Sequence, residues 1–407
     1  MTLSENRHAR RVDRALLLLL LPLTTLASAA QAQYDFFVLE SEIANPGPIV
    51  EPSINDAGTA IFPYRHDFSF NDLTTNTAGG SPSILYEGTF TLLAYQVPVI
   101  NISGLAAWVG TRSGNTEVLS GNGGAVTTIA DRLGPLHGFS NHIDMNDAGT
   151  VVFHASTDVL LGQVIQTGSG GALTTIADNT TTFSQFGPRP SINTAGTVAF
   201  WADTSMTGTS DTGLYTGNGG AITTLYDESG IFDNFFAAPD INDSGNVAFK
   251  AQLDTTAVQG IFVGDGDPPT TLVDDSGLYA GFQEHAMNNS GNIVFLATLD
   301  ATGPAQGLYT GPDPVADKVI AEGDALGGGT VIDIVFYHGF NNVGDIVFGA
   351  IIDPGGSDPF ISRVYLARPT TTAVPVLSGV IRTLVVAGLL AAAYVALARR
   401  RNRANAA

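Results

Sequence analysis

Two stretches decide how this chain reads: Asn193-Thr194-Ala195-Gly196-Thr197-Val198-Ala199-Phe200 and Asn242-Asp243-Ser244-Gly245-Asn246-Val247-Ala248-Phe249. Asn followed three residues later by Gly is a turn signature. The Asn side chain bonds to backbone ahead of it, and Gly accepts the conformations a tight turn demands. The residues after the Gly, such as Val198-Ala199-Phe200-Trp201-Ala202, are apolar without alternation. A strand covered on both faces reads that way.

The phrase recurs along the chain. Its Asn and Gly fall at Asn55 and Gly58, Asn101 and Gly104, Asn146 and Gly149, Asn193 and Gly196, Asn242 and Gly245, Asn288 and Gly291, and Asn341 and Gly344. The spacings between the asparagines are 46, 45, 47, 49, 46 and 53 residues. Further strands follow in each copy. Gly213 to Thr216 leads through the turn Gly217-Asn218-Gly219-Gly220 into Ala221 to Tyr226, a strand, hairpin and strand. A fourth strand, as at Phe235 to Ile241, runs into the next Asn turn.

Four short strands per repeat of about 40–50 residues predict one blade of a β-propeller. The fold class is therefore all-β, a seven-bladed β-propeller over residues 33–368. Seven turns enclose six complete intervals, so the seventh blade is split between the chain ends. Asp345–Ala350 and Ile361–Ala367 are expected as its inner two strands, with Tyr34–Glu40 and the residues before Ile54 as its outer two. The alternative is a β-solenoid, whose rungs are usually much shorter than this period.

The repeat resembles the bacterial choice-of-anchor tandem-repeat proteins, defined by an Asn-x-x-Gly-x-x-Ala-Phe phrase. Asn193 to Phe200 and Asn242 to Phe249 match it literally, and the resemblance covers nearly all of residues 34–368. It implies an exported repeat region with a variable C-terminal sorting tail and implies no chemistry.

The two ends fit that expectation. Arg7, Arg10, Arg11 and Arg14 precede an apolar stretch from Ala15 to Leu26, and Ala30-Gln31-Ala32 is a small-x-small site. Residues 1–32 thus read as a signal peptide. Residues 369–378 read as a linker carrying the motif Val374-Pro375-Val376-Leu377-Ser378. Residues 379–398 form an apolar stretch broken only by Arg382, long enough to span a bilayer as a helix. Residues 399–407, with Arg399, Arg400, Arg401 and Arg403, read as a basic cytoplasmic tail. This tail resembles IPTL-CTERM and PEP-CTERM sorting signals, which implies a membrane-anchored protein at the cell surface or outer envelope, recognised by an envelope sorting enzyme and released if the tail is cut.

The formal net charge is −21 over 407 residues. Residues 1–32 carry four Arg against two acids and residues 380–407 carry five Arg and no acid, so removing both leaves −28. Nucleic-acid binding needs phosphate-neutralising cations and is excluded on this ground. The chain has no Cys, which excludes thiolate chemistry and disulfides. No phosphate loop, Gly-x-Ser-x-Gly elbow or His-Glu-x-x-His site occurs.

Two candidate constellations remain. His142, His285 and His338 each lie three or four residues before a repeat Asn, on equivalent loops of one face. They read either as a shared ligand or metal site or as ordinary turn histidines. Asp131, Asp178, Asp227, Asp274 and Glu322 end the third strand of their repeats, and Glu40 aligns with them. They read either as an acidic ring or as openers of the following turn. Asp265, Asp267, Asp274 and Asp275 form the candidate Ca²⁺ loop; no other cofactor is indicated.

These readings predict an exported, non-catalytic binding or structural module of the envelope or extracellular matrix. Its partners are expected to be a polysaccharide or a surface protein, met by loops on one propeller face. The rival class is a polysaccharide-acting glycosidase or lyase. Two acids facing each other across the tunnel mouth with shifted pKa would mark it.

Overall fold

The computed structural model describes residues 34–43, 51–66, 69–87, 96–158, 162–205, 211–236, 238–300, 306–356 and 358–370. The segments expected as signal peptide, sorting motif (374–378), membrane helix and basic tail lie outside the described residues, as does the linker beyond Thr370. The described chain folds into seven antiparallel sheets of four or five strands, a seven-bladed β-propeller.

The fourth blade shows the construction. Its innermost strand, Ser191–Ile192, enters the Asn193 turn. Val198–Asp203 returns from it, followed by Thr212–Gly217 and the outermost strand Thr223–Asp227. Phe200 of the phrase is fully buried, as are Phe62, Phe153, Phe249, Phe295 and Phe348 at the same place in other blades. Phe200 stacks on Tyr215 of the next strand at 5.8 Å. Ala199 points to the other side and joins the core around Phe249 of the fifth blade. A small residue there lets adjacent sheets approach, so the Ala-Phe pair is one residue for each neighbouring interface.

In six blades the pairing between the third and outermost strands shifts register at the same place, as between Leu214 and Tyr215 or Ile261 and Phe262. Such a bulge increases local twist and splays the outer edge of each sheet.

The seventh blade is split, but not two strands against two. Its sheet runs Ala325–Leu326, Gly329–Val335, Ile346–Asp353, Ile361–Pro369 and then, at the outer edge, Tyr34–Ile43. Four strands, the first a two-residue one, come from the C-terminal part and one from the N-terminus. Ser53–Ile54, expected in the closing blade, is the innermost strand of the first. The cause is an offset of one strand. The repeated phrase begins at the second strand of a blade, so the strand before each Asn belongs to the blade that the Asn opens. Glu40 does lie on an outermost strand, as its alignment with Asp227 and Asp274 implied.

Candidate functional site at the propeller axis

The seven Asn turns ring one mouth of the axis. In each, the Gly amide donates to the Asn carbonyl, and the Asn amide donates to the carbonyl four residues on, as at Gly196 and Asn193 (3.0 and 3.1 Å). That is a type I turn followed by a left-handed residue. The Gly carries φ between 75° (Gly291) and 93° (Gly344), which a side chain rarely accepts.

The Asn side chain does two jobs. Its Oδ1 accepts the amide four residues on, as Asn193 does from Thr197 (3.0 Å). Its Nδ2 crosses to the next blade. Asn55 donates to the Asn101 carbonyl (2.8 Å), Asn146 to Asn193 (3.1 Å), Asn193 to Asn242 (3.2 Å) and Asn288 to Asn341 (3.3 Å). Asn341 closes the circle on the Asn55 carbonyl at 2.9 Å. The residue after each Asn builds a second belt outside this one. Asn342 Nδ2 donates to Asp56 (2.7 Å), the Asn289 amide to Asn342 (2.6 Å) and the Thr194 amide to Asp243 (2.9 Å).

Inside this mouth lies a cavity of about 150 Å³. Below the Asn belt it has a collar of Ile54, Ile100, Met145, Ile192, Ile241, Met287 and Phe340, the residue before each Asn, and its floor carries Asp144, Asp240 and His338. Asp240, 4 % exposed, joins four blades. It accepts from Ser191 Oγ of the fourth (3.3 Å) and the Met287 amide of the sixth (2.6 Å), and pairs with His338 Nε2 of the seventh (3.4 Å). Burial would push the Asp240 carboxyl up, but the His338 charge and hydrogen bonds outweigh it and hold the carboxyl below its usual range. Burial would likewise lower His338, yet Asp240 raises it to about 9. His285, beside this pair, is lowered by burial, and its Nε2 lies 3.3 Å from the Ala248 carbonyl. Asp144 accepts the Met145 amide (2.7 Å) and the Ile192 amide of the next blade (2.8 Å).

Beyond the floor, side chains four residues before the repeat Asn meet across the axis. Tyr337 is buried, with the His142 ring 4.4 Å away and the Arg189 guanidinium 4.5 Å over its face. Arg189 forms an ion pair with Glu284, and His142 lies 3.6 Å from Glu51. Tyr337 is raised well above its ordinary pKa by burial. Lys250, lowered by burial, donates to the Phe282 carbonyl (3.1 Å).

The structure therefore gathers His142, His285 and His338 near the axis, each against a different partner. It does not make an acidic ring of the strand-end acids. Asp131, Asp178, Asp227 and Asp274 end outermost strands and each accept the amide two residues on, from Leu133, Thr180, Ser229 and Ser276. Turn capping at the outer edge is what these residues do, and the outermost position of their strands keeps them apart. Asp265 and Asp267 sit in the hairpin before the strand Thr270–Asp274, while Asp274 and Asp275 lie at its far end. Four residue steps put about 13 Å between the two pairs. Among the described residues no group of three or more His, Asp or Glu side chains is assembled as metal ligands.

Asp144, Asp240, Glu51, Arg189, Glu284 and Tyr337 were not singled out by sequence. Their signal is positional. Counting back two and four residues from each Asn, the period of a strand, lands on all six.

Comparison with known proteins bears on the fold. Oligogalacturonate lyase in complex with manganese superimposes with a TM-score of 0.52 at 12% identity, covering 84% of this chain and 98% of that one. Prolyl oligopeptidase B from Galerina marginata, apo protein, gives a TM-score of 0.49 at 8% identity, covering 77% of this chain and 48% of that one. No curated protein matches the sequence. A family model described as a family of unknown function, DUF7453, matches residues 87–371, well over half the chain. The chain belongs to the DUF7453 family.

Proposed function

We propose that this protein is an exported, surface-sorted binding or structural module of the envelope or extracellular matrix, without a catalytic centre on its axis. One observation carries this reading: the axial carboxylates are spent on joining blades. Asp240 holds the fourth, sixth and seventh blades to the fifth and stays ionised, while Asp144 accepts two backbone amides. A polysaccharide hydrolase needs a neutral carboxylic acid beside a second carboxylate. Glu322, a carboxyl that burial pushes up, follows the outermost strand Lys318–Ala321 instead. The leader at 1–32, the motif at 374–378 and the basic tail after 398 support export and sorting.

A second reading, a lyase acting on extracellular polysaccharide, draws on one feature. Arg189, Lys250 and His338 are cationic groups brought to the axis of a very acidic protein. One experiment separates the two. The purified protein is incubated with a panel of glycans and envelope polysaccharides, with Ca²⁺ and with chelator. Binding is measured, together with new reducing ends and the ultraviolet absorbance of an eliminated sugar. Retention without either product supports the module. Turnover that survives repurification and is lost in Arg189→Ala would replace it with the lyase.

A further inference from the structure

We propose that the axial cavity inside the Asn mouth binds an aliphatic primary ammonium group, carried by a lysine side chain or a free alkyl amine. This rests on the binding-module reading and names the ligand chemistry of that module.

The cavity is layered. At the rim, Asp56, Asp147 and Asp243 alternate with amides. The Asn Nδ2 groups of the belt already donate to neighbouring carbonyls, so the mouth presents acceptors rather than donors. Next comes the collar of four isoleucines, two methionines and Phe340, which wants a hydrocarbon stem. The floor ends on carboxylates. Asp240 is paired with His338, and Asp144 accepts two backbone amides while its charge also acts on His338. Five carboxylates line the cavity against that one histidine, so a cation seated among them lowers the remaining negative field.

The volume fits. A cavity of about 150 Å³ takes one benzene-sized group, and a butylammonium stem is of that size. An ammonium brings three donors to a wall of acceptors, and its four-carbon stem spans an apolar collar. An anion meets five carboxylates and a single histidine cation, His338, that is already paired with Asp240. A neutral alcohol of the same length satisfies the collar and brings no charge to the carboxylates.

The test is calorimetric titration of the full-length protein at low salt with n-butylammonium chloride, with n-butanol and with a short peptide containing one lysine. The ammonium is expected to bind and the alcohol not to. Asp144→Asn should weaken ammonium binding about tenfold or more, the scale of losing a charged hydrogen-bond partner. Ile241→Phe, which fills the collar and leaves every carboxylate in place, should abolish it. Asp178→Asn, on the outer edge, should leave it unchanged. Thermal melting of each variant reports whether the propeller is intact. A peptide that binds at least tenfold tighter than butylammonium identifies a protein lysine as the source; equal affinities identify a free amine. Equal binding of butanol, or ammonium binding that survives Ile241→Phe in a folded protein, overturns the proposal. Absence of ammonium binding in a protein that still retains a glycan overturns the ligand chemistry alone and leaves the module standing.

Discussion

The side-chain nitrogen of Asn341 donates to the backbone carbonyl of Asn55 at 2.9 Å, across 286 residues of sequence. The same bond, made between neighbours 46 to 53 residues apart, joins the other blades where it is seen. Where the bond is made, the Asn uses both halves of its amide, one for its own turn and one for the next blade.

Asn341→Asp separates the two. The carboxylate still accepts the Asp345 amide but cannot donate to Asn55, and it faces a carbonyl instead. Loss of about 1–3 kcal/mol is expected from an unmet buried acceptor and an added buried charge. Thermal unfolding would show it; a melting temperature equal to the parent's would deny the Nδ2 bond any part in holding the ring.

Gly196 and Gly149 have the same φ, 79°, but different surroundings. A Cβ on Gly196 meets nothing within 4 Å, whereas one on Gly149 comes 2.9 Å from Leu105 Cδ2 of the preceding blade. Gly196→Ala should cost only the left-handed backbone, roughly 1–2 kcal/mol. Gly149→Ala should cost at least as much, with the excess relieved by Leu105→Ala in a double-mutant cycle. Equal costs with no coupling would mean that Leu105 turns aside freely.

Asp240→Asn leaves His338 at the cavity floor without its carboxylate. Breaking a buried pair from one side costs about 3–5 kcal/mol. The size of the effect distinguishes a four-blade tie from a local bond. A urea midpoint shift corresponding to less than about 1 kcal/mol would show that the remaining bonds of Ser191 and Met287 suffice.

The same pair sets a pH dependence. Folded His338 keeps its proton up to about pH 9, while an unfolded histidine loses it near 6.5. In that window the folded chain binds more protons, so stability falls as pH rises from about 6.5 to 9. His285 acts oppositely: its folded pKa is lowered, so its share is lost as pH falls through the unfolded value. Asp144, Glu284, Arg189 and Lys250 face the same region and set the background. Denaturation midpoints between pH 6 and 10 should therefore decline towards the alkaline side, and His338→Gln should flatten that limb. An unchanged slope in His338→Gln would assign it elsewhere.

What could be read from sequence was what repeats. The turns, the buried second strand and the blade number follow from Asn193, Gly196 and Phe200, because local backbone geometry and one apolar run dictate them wherever they recur. The closing blade was misjudged by one strand, since Ser53–Ile54 precedes its Asn and therefore opens a blade rather than ending one. The axial residues escaped for the opposite reason. Asp144 and Asp240 share a place that other blades fill with Ser, Val, Ala or Gly, and Arg189, Glu284 and Tyr337 share another with three different side chains, so no motif marks them. Only the ring brings them together. Asp131 and Asp274 did repeat, and their repetition records a turn requirement rather than a shared site.

The placement of Tyr34–Ile43 on the outer edge of the last blade orders the making of the molecule in time. This strand emerges early from the ribosome, yet its partner, Ile361–Pro369, is among the final segments of the propeller to be made. Blades one to six can each form from contiguous chain as they appear, but the circle has no closing partner until translation has passed residue 369. Closing so long a loop adds little entropy cost per added residue but delays the step. A chain cut short anywhere before that point keeps an open seam and an unpaired edge, so closure itself reports that the whole propeller has been made.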